Sequence, residues 1–598
     1  MERRDFSTLL SGAASAWLLA ARAQESEIFA RVKYVLRQLA RLGARPVGIL
    51  AIGILLFAVL DIAPIWSNYF YACGDVHAAA RLALSAQNEL LSGNYVLKYS
   101  NDGDVALRPL FLFYTPIFYG AVAAIQLVLQ LSWSKAIVLM IFLCAVSTML
   151  GLYATACQLG SDKRAAALIT TTLPFSPYFI CDVFSRCAFA EITAFAVFPW
   201  VLYFFVTAFQ QPNFWQASGF TLTLALLILC HKIFFGWTVI CLAIFAFMFG
   251  GIRKSVRTTP LFALSTAAAL ALTAPYWANA LLLGDSMPAI WQTKSHAPIS
   301  FWYLTADYHV FSPMPYTHPD NILSYGRFNL QLGPVIVGFL FGSVLYLKNP
   351  ALRAVSVVTL LTATLATSFF GYYELWHYLP KELVIIQFPY RLLLFATVFG
   401  LVGAAITLTE VGRRRPRLAL TLFCMSTILL IISFWSRPHK GMFPSEWTQT
   451  MPMFEGRDYY ELDGSQKLPG QHLSRSLFEV HGNIATGIIS RDDPGLVILP
   501  VQFSRFLSVR LNDRNFAVIN ADGLVGLDLP EGTSSMHIAR NDPITPLISL
   551  LSGSCLLLLS LILFRRKRRI RLSAQTVLDR SRPRSPSPGA YRNAGKCS

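Results

Sequence analysis

Charge is what this sequence has least of. Of its 598 residues only 14% are Asp, Glu, Lys or Arg, against roughly 25% in an ordinary soluble domain, while 55% are hydrophobic. A soluble globular chain is excluded. Metal-ribbon spacing is also missing: ten cysteines are present but no Cys-x-x-Cys, and Cys144, Cys157, Cys230, Cys241, Cys424 and Cys555 fall inside apolar runs. Neither a zinc site nor a disulfide framework is indicated. A single Cys181–Cys187 bridge stays open if that loop faces an oxidising compartment. What the chain does have is apolar length, in several runs that reach the roughly 18 to 20 residues a helix needs to cross about 30 Å of hydrocarbon. It reads as a polytopic membrane protein.

The net charge of +18 is confined to three patches. Residues 565–598 carry +10, residues 1–45 carry +4, and Arg413, Arg414, Arg415 and Arg417 supply the remaining +4. Basic clusters beside apolar spans mark the cytoplasmic side, so the basic composition argues for anionic lipid and against nucleic acid. The N-terminus, Arg3-Arg4-Asp5-Phe6 running to Ala21-Arg22-Ala23, looks like a twin-arginine leader. Arg31, Lys33, Arg37, Arg41 and Arg45 then stand directly before the first true span. A cleaved leader would strand that cluster outside, so residues 1–45 are expected to be an uncleaved cytoplasmic segment or the product of a start site placed too far upstream.

The first span, about 46–66, then runs outward into a polar loop covering 67–108. Further apolar segments lie near 109–131, 135–159, 165–181, 191–209, 216–250, 258–280, 331–347, 352–372, 391–410 and 418–436. The stretch 216–250 is long enough for one span or for a tight pair split at His231-Lys232, and with Arg253, Lys254 and Arg257 inside, parity requires that it be one crossing or that another segment not be a full span. Residues 437–545 are polar, with Leu507, Val509 and Leu511 alternating against Ser508 and Arg510, and with turn signals at Asn512-Asp513 and Asp522-Gly523. This reads as a small β-rich extracytoplasmic domain. A final span near 546–564 ends at Arg565-Arg566-Lys567-Arg568-Arg569, and an Arg-, Ser- and Pro-rich tail follows, expected to be disordered.

Four places carry residues suited to chemistry. Asp75 follows the first span, with His77, Arg81 and Arg108 nearby. A carboxylate there would deprotonate an acceptor hydroxyl or hold a divalent cation against a leaving phosphate, with an arginine pairing to phosphate oxygens. It would equally serve as the cap of a helix beginning at Val76. Arg186 and Glu191 border an apolar segment, where ionisable groups are costly unless paired or wet, so they mark either a polar pocket or a structural ion pair. His231-Lys232 faces the same cavity or makes an interfacial turn. Arg391, after Gln387-Phe388-Pro389-Tyr390, sits where Pro389 starts a helix. It would hold a lipid phosphate or snorkel to the interface.

In order along the chain, Gly74-Asp75 with His77, Phe111-x-Phe113-Tyr114-x-Pro116, Arg186-x-x-x-x-Glu191 with Pro199-Trp200, His231, Gln331-Leu332-Gly333 and Gln387-Phe388-Pro389-Tyr390-Arg391 resemble a family of bacterial polytopic membrane proteins. That family is labelled 6-pyruvoyl-tetrahydropterin synthase-related, and it in turn resembles the GT-C class of membrane glycosyltransferases, which use polyprenyl-phosphate-linked sugars. The likeness covers roughly residues 46–564. Gly74 stands where the family usually has His, and Tyr390 where Trp is common. Nothing here resembles the zinc-binding histidines of the soluble pterin synthase.

The resemblance implies an all-α, GT-C-like core of about 11 to 13 transmembrane helices over 46–436, with the β-rich domain before the last span. It implies an inner-membrane glycosyltransferase acting at the periplasmic face in envelope polysaccharide or glycolipid assembly, with both termini cytoplasmic. Asp75 would be the catalytic or cation-holding carboxylate, and His77, Arg81, Arg186, Glu191, His231 and Arg391 would bind a polyprenyl-phosphate sugar donor. The competing expectation is a non-enzymatic transporter of lipid-linked glycan, or an assembly scaffold on the same fold. The two differ in whether one loop carboxylate or the polar groups along the spans matter most.

Overall fold

The computed structural model describes residues 45–66, 76–101, 106–282, 332–366, 389–419, 421, 423–425, 471–472, 477–481, 483–504, 506–521 and 524–540. The N-terminal basic segment, Asp75, Gln331, the final span near 546–564 and the basic tail lie outside the described residues.

Helix α1, Pro46–Phe57, starts on a proline whose fixed φ suits a first helical turn, and it continues through a π-helical turn, Ala58–Ile62, into Ala63–Ile65. α2, Val76–Leu91, begins where the sequence placed it and buries Ala79, Leu82, Ala83 and Ala86 along one stripe. α3 is Pro116–Leu129, α4 Trp133–Gln158, and α5 Lys163–Thr170, which Asp162 caps by accepting from the backbone N–H groups of Arg164 and Ala165. After short turns come α6, Phe189–Gln210, and α7, Phe214–Cys230, capped by Asn213. α8 spans Lys232–Leu282 but breaks at Gly251, whose φ of 69° is open to glycine and costly for other residues. α9 is Pro334–Ser343, α10 Pro350–Ala366 and α11 Leu393–Arg414, the last entered through a 3-10 turn, Pro389–Leu392. Among the described residues five helical segments are long and apolar enough to cross a membrane by length and composition, and several shorter apolar helices stand beside them.

Contacts fix which end of each helix lies on which face. Gln158 donates to Gln210 at the far ends of α4 and α6, and the Ser161 hydroxyl meets Thr409 near the end of α11. Arg353 donates to the Met248 carbonyl, and the Arg414 guanidinium lies over Tyr346. These ends share one face with Arg253, Lys254 and the Arg413 cluster. The other face holds Phe118 stacked on Phe189, Lys232 bonded to the Leu112 carbonyl, and Tyr276 packed with Leu112. Phe142, in the 26-residue α4, stacks on Phe57, the last residue of α1.

The apolar segment near 109–131 holds a short helix. α3 has 14 residues, about 21 Å at 1.5 Å per residue, too short for the hydrocarbon core. Gln87 of α2 donates to its Gln126. Apolar length admitted it as a span because a helix buried on its neighbours needs the same composition. The stretch 216–250 is a tight pair split at His231, whose extended φ of −161° separates α7 from α8.

Inside the bundle, small residues and hydroxyls do the close packing expected where apolar helices gain nothing from leaving lipid for one another. Pro199 interrupts the α6 ladder, and hydroxyls from α4 reach the carbonyls beside it: Ser147 donates to Ala196 and Thr155 to Pro199, both at 2.9 Å. Gly151 makes the approach fit, since a Cβ there would lie 2.8 Å from the Pro199 ring.

The β-rich expectation holds. One sheet runs β1–β4–β8–β7 and the other β2–β3–β9–β5–β6, where β1 is Gln471–His472, β2 Phe478–His481, β3 Ile484–Arg491, β4 Gly495–Gln502, β5 Leu507–Leu511, β6 Arg514–Phe516, β7 Ile519–Ala521, β8 Leu524–Leu529 and β9 Gly532–Arg540. Val509 and Leu511 bury against Val497, Leu527 and Ile538 while Arg510 points out. The turn at Asn512-Asp513 has both φ angles positive, 44° and 64°, as a tight hairpin with right-handed twist requires.

This domain is docked on the loop after α2. Ala106 bridges Val501, its N–H donating to the Pro500 carbonyl at 2.8 Å, and Ala106 and Leu107 complete the sheet core. Arg540, fully buried, donates to the carbonyls of Leu107 and Gln502 and lies over the Tyr99 ring. A guanidinium so enclosed is tolerable only with its donors occupied.

Candidate functional site: a buried carboxylate–arginine cluster

Between α5 and α6 the chain makes a helical turn, Pro177–Ile180, and a π-helix, Cys181–Arg186. π-Turns are uncommon and often accompany functional sites. This one puts Asp182 and Arg186 on one side, with Arg186 Nη1 donating to Asp182 Oδ1 at 2.5 Å. Cys187 then takes a left-handed φ of 53°, which turns the chain so that α6 starts with Glu191 facing back. Arg186 grips Glu191 in a fork, Nη1 to Oε2 at 3.0 Å and Nη2 to Oε1 at 2.8 Å.

Three further groups close on Glu191. Tyr178 donates its hydroxyl to Oε2 at 2.8 Å. Arg391 Nε, from the 3-10 turn before α11, lies 2.7 Å from Oε1. Tyr390, from the same turn, presents its ring to the Arg186 guanidinium at 4.6 Å. His231, in the break between α7 and α8, stacks on Phe234 and stands within electrostatic reach of Arg391, Glu191 and Arg186. Its Nδ1 is buried with no hydrogen-bond partner among the described residues. Two carboxylates thus face two guanidiniums, and Asp182 and Glu191 are almost wholly enclosed at 0% and 1% exposure. Pairing of this kind is what makes four charges affordable at such depth.

Of the residues singled out in the sequence, Arg186, Glu191, His231 and Arg391 meet here. The snorkelling alternative for Arg391 is excluded by its pairing with Glu191. Arg81 is half-buried on α2, which packs on α3, and His77 lies in the first turn of α2. Asp75 lies outside the described residues. Asp182, Tyr178 and Tyr390 join the cluster without having been singled out for it. The spacing of Tyr178, Asp182 and Arg186, four residues apart in turn, was the available signal. Each carboxylate has an oxygen bonded to an arginine, and no cluster of three or more His, Cys, Asp or Glu that could hold a metal ion occurs among the described residues.

The cysteine expectation needs correcting. Cys187 is disulfide-bonded, and Cys181 is not its partner, being a thiol.

A family model described as "6-pyruvoyl-tetrahydropterin synthase related domain; membrane protein" matches residues 111–438. The match takes in more than half of the chain and includes Arg186, Glu191, His231 and Arg391. The protein belongs to this family of membrane proteins. No curated protein matches it. Among solved structures it is similar to the oligosaccharyltransferase AglB from Archaeoglobus fulgidus in complex with an inhibitory peptide and a dolichol-phosphate, at 13% identity and a TM-score of 0.42, covering 65% of this chain and 55% of that one. It is also similar to the arabinofuranosyltransferase AftD from Mycobacteria, at 14% identity and a TM-score of 0.39, over 68% of this chain and 27% of that one. A third is ArnT from Cupriavidus metallidurans, at 13% identity and a TM-score of 0.28, over 61% of this chain and 79% of that one. The chain spans about half the length of the AglB structure it matches.

Proposed function

We propose that this protein is an inner-membrane glycosyltransferase that takes a sugar from a polyprenyl-phosphate donor on the face carrying the β-domain. The carrying observation is the convergence of Arg186 and Arg391 on one buried carboxylate, with His231 beside them. A lipid-phosphate donor presents an anion at the membrane interface and a prenyl chain in hydrocarbon. A site for it needs cations held at that depth, which only carboxylate partners can keep there in the donor's absence. Glu191 does this for both arginines, and their planar forks suit phosphate oxygens when a donor arrives. His231 Nδ1 supplies a hydrogen-bonding atom not already committed.

On this reading Asp75 is the carboxylate that takes the acceptor hydroxyl's proton as that oxygen attacks the anomeric carbon, and the phosphate leaves with the bonding pair. His77 and Arg81 belong to the donor side of the same site. On this reading the face with the basic clusters is the cytoplasmic one, as the positive-inside rule favours, and the chemistry lies on the other side.

The test is the envelope glycan and glycolipid profile of a strain lacking the protein, complemented at matched membrane abundance. Wild type is expected to restore a missing sugar-bearing species, with Asp75→Asn failing to do so. Full restoration by Asp75→Asn would overturn the transferase assignment and leave a transporter or scaffold as the account.

A further inference from the structure

The charges of the buried cluster cancel. Asp182 and Glu191 stand against Arg186 and Arg391, and each guanidinium is already paired with a carboxylate. The arginines therefore offer an anion donors but no net charge. A cation that is not balanced in this way stands one residue beyond His231. Lys232, the first residue of α8, donates its ammonium to the main-chain carbonyl of Leu112. Among the described residues no carboxylate pairs with it. Leu112 belongs to the helical turn Leu110–Phe113 and packs with Tyr99, Tyr276 and Phe506. The ammonium thus lies at the seam where the loop after α2, the second half of α8 and the β-rich domain meet.

Three features of this place suit an anion. The first is the start of α8 itself, which exists because His231 is extended, with φ −161° and ψ 94°, and breaks the ladder from α7. A helix start leaves backbone N–H groups without acceptors inside the helix, and the aligned peptide dipoles make that end positive. The second is the His231 ring, which stacks on Phe234 in the first turn of α8 with centroids 4.2 Å apart. Its Nδ1 has no hydrogen-bond partner among the described residues, although His231 is only 6% exposed. Buried polar atoms are normally paired, so an uncommitted one marks a place where a partner is due. The third is Lys232, whose flexible stem can re-aim the ammonium. Its present acceptor is a neutral carbonyl, and an anionic oxygen is a stronger one.

We propose that Lys232, the first turn of α8 and His231 together form the seat of a lipid-borne phosphate. When the lipid binds, the ammonium leaves the Leu112 carbonyl for a phosphate oxygen, and His231 donates to the same anion from Nδ1. The inference deepens the proposed function and rests on it for the identity of the lipid, a polyprenyl phosphate. Charge is the chemical reason. The phosphodiester of a sugar donor carries one negative charge, and the monoester released from it carries about −1.5 to −2 at neutral pH. The charge gained as the phosphate leaves needs a positive partner that Asp182 and Glu191 do not already neutralise, and Lys232 supplies it.

The experiment is binding of farnesyl monophosphate to the full-length protein in phosphatidylcholine nanodiscs, with farnesol and phosphatidylglycerol as the other two arms. Wild type is expected to prefer farnesyl monophosphate to farnesol. Lys232→Met should weaken farnesyl monophosphate binding by about tenfold or more, the loss of one hydrogen bond between charged groups, and leave farnesol binding as it was. Lys232→Arg, which keeps the charge, should retain most of the preference. Equal affinity of Lys232→Met and wild type for farnesyl monophosphate would overturn the inference and leave the donor reading standing. Equal weakening of farnesol would also overturn it, since Lys232 would then only prop the Leu112 turn. Lys232-dependent binding of phosphatidylglycerol, with none of farnesyl monophosphate, would keep the phosphate seat and overturn the donor reading instead. Binding of neither phosphate-bearing lipid by wild type would overturn both.

Discussion

Arg391 and Glu191 lie two hundred positions apart in the chain and meet with Nε 2.7 Å from Oε1, inside an assembly of apolar helices. The contact ties the start of α11 to the start of α6. Glu191 is shared with Arg186, so neither guanidinium can be removed without leaving a buried carboxylate short of charge.

Replacing Arg391 by alanine should therefore destabilise the protein strongly, by roughly 3–5 kcal/mol, the usual cost of breaking one partner out of a buried pair. The double change Arg391→Met with Glu191→Gln should recover part of that loss, since the stranded charge goes with its partner. Thermal unfolding in detergent measures both. A single variant as stable as wild type would mean that the cluster is wetter than its burial indicates.

Arg540→Met should loosen the β-domain from the loop after α2, because the carbonyls of Leu107 and Gln502 lose a buried donor. A cost of about 1–3 kcal/mol is expected for each carbonyl left unsatisfied. Limited proteolysis reads it as faster cleavage near residues 102–105 with the transmembrane helices still protected. Unchanged cleavage would show that the Ala106–Val501 bridge suffices alone.

Gly400→Ala should separate α11 from α9, since the added Cβ would lie 2.6 Å from Ile336 Cγ2. Overpacking of this kind costs about 1–3 kcal/mol. Gly236→Ala in α8, where nothing lies within 4 Å, should instead be neutral or gain up to about 1 kcal/mol from helix propensity. The difference in melting temperature between the two tests the α9–α11 packing directly.

Reporter insertions should separate the two faces. A fluorescent protein fused after Arg253 is expected to fold and fluoresce, as in the cytoplasm. An alkaline phosphatase inserted at the Asp492-Asp493 turn is expected to be active, as outside it. The reverse pattern would invert the membrane orientation and the side on which the proposed chemistry occurs.

Much of the architecture was legible in the sequence. Apolar length marked the helices, alternation and the Asn512-Asp513 turn marked the β-domain, and the cost of ionisable residues in apolar surroundings marked Arg186, Glu191, His231 and Arg391. These signals are local, and local composition decides whether a segment suits hydrocarbon or a pleated sheet. The tertiary structure decided what those segments do to one another. Hydropathy could not say that the apolar stretch near 109–131 forms a helix of only 14 residues, because burial against protein and exposure to lipid ask for the same residues. Nor could it choose between an interfacial and a paired Arg391, or bring Asp182 and Tyr178 to Glu191. Such contacts depend on which helix ends meet, and that is set by the packing of Gly151 on Pro199, Gly400 on Ile336 and the other close approaches of the bundle.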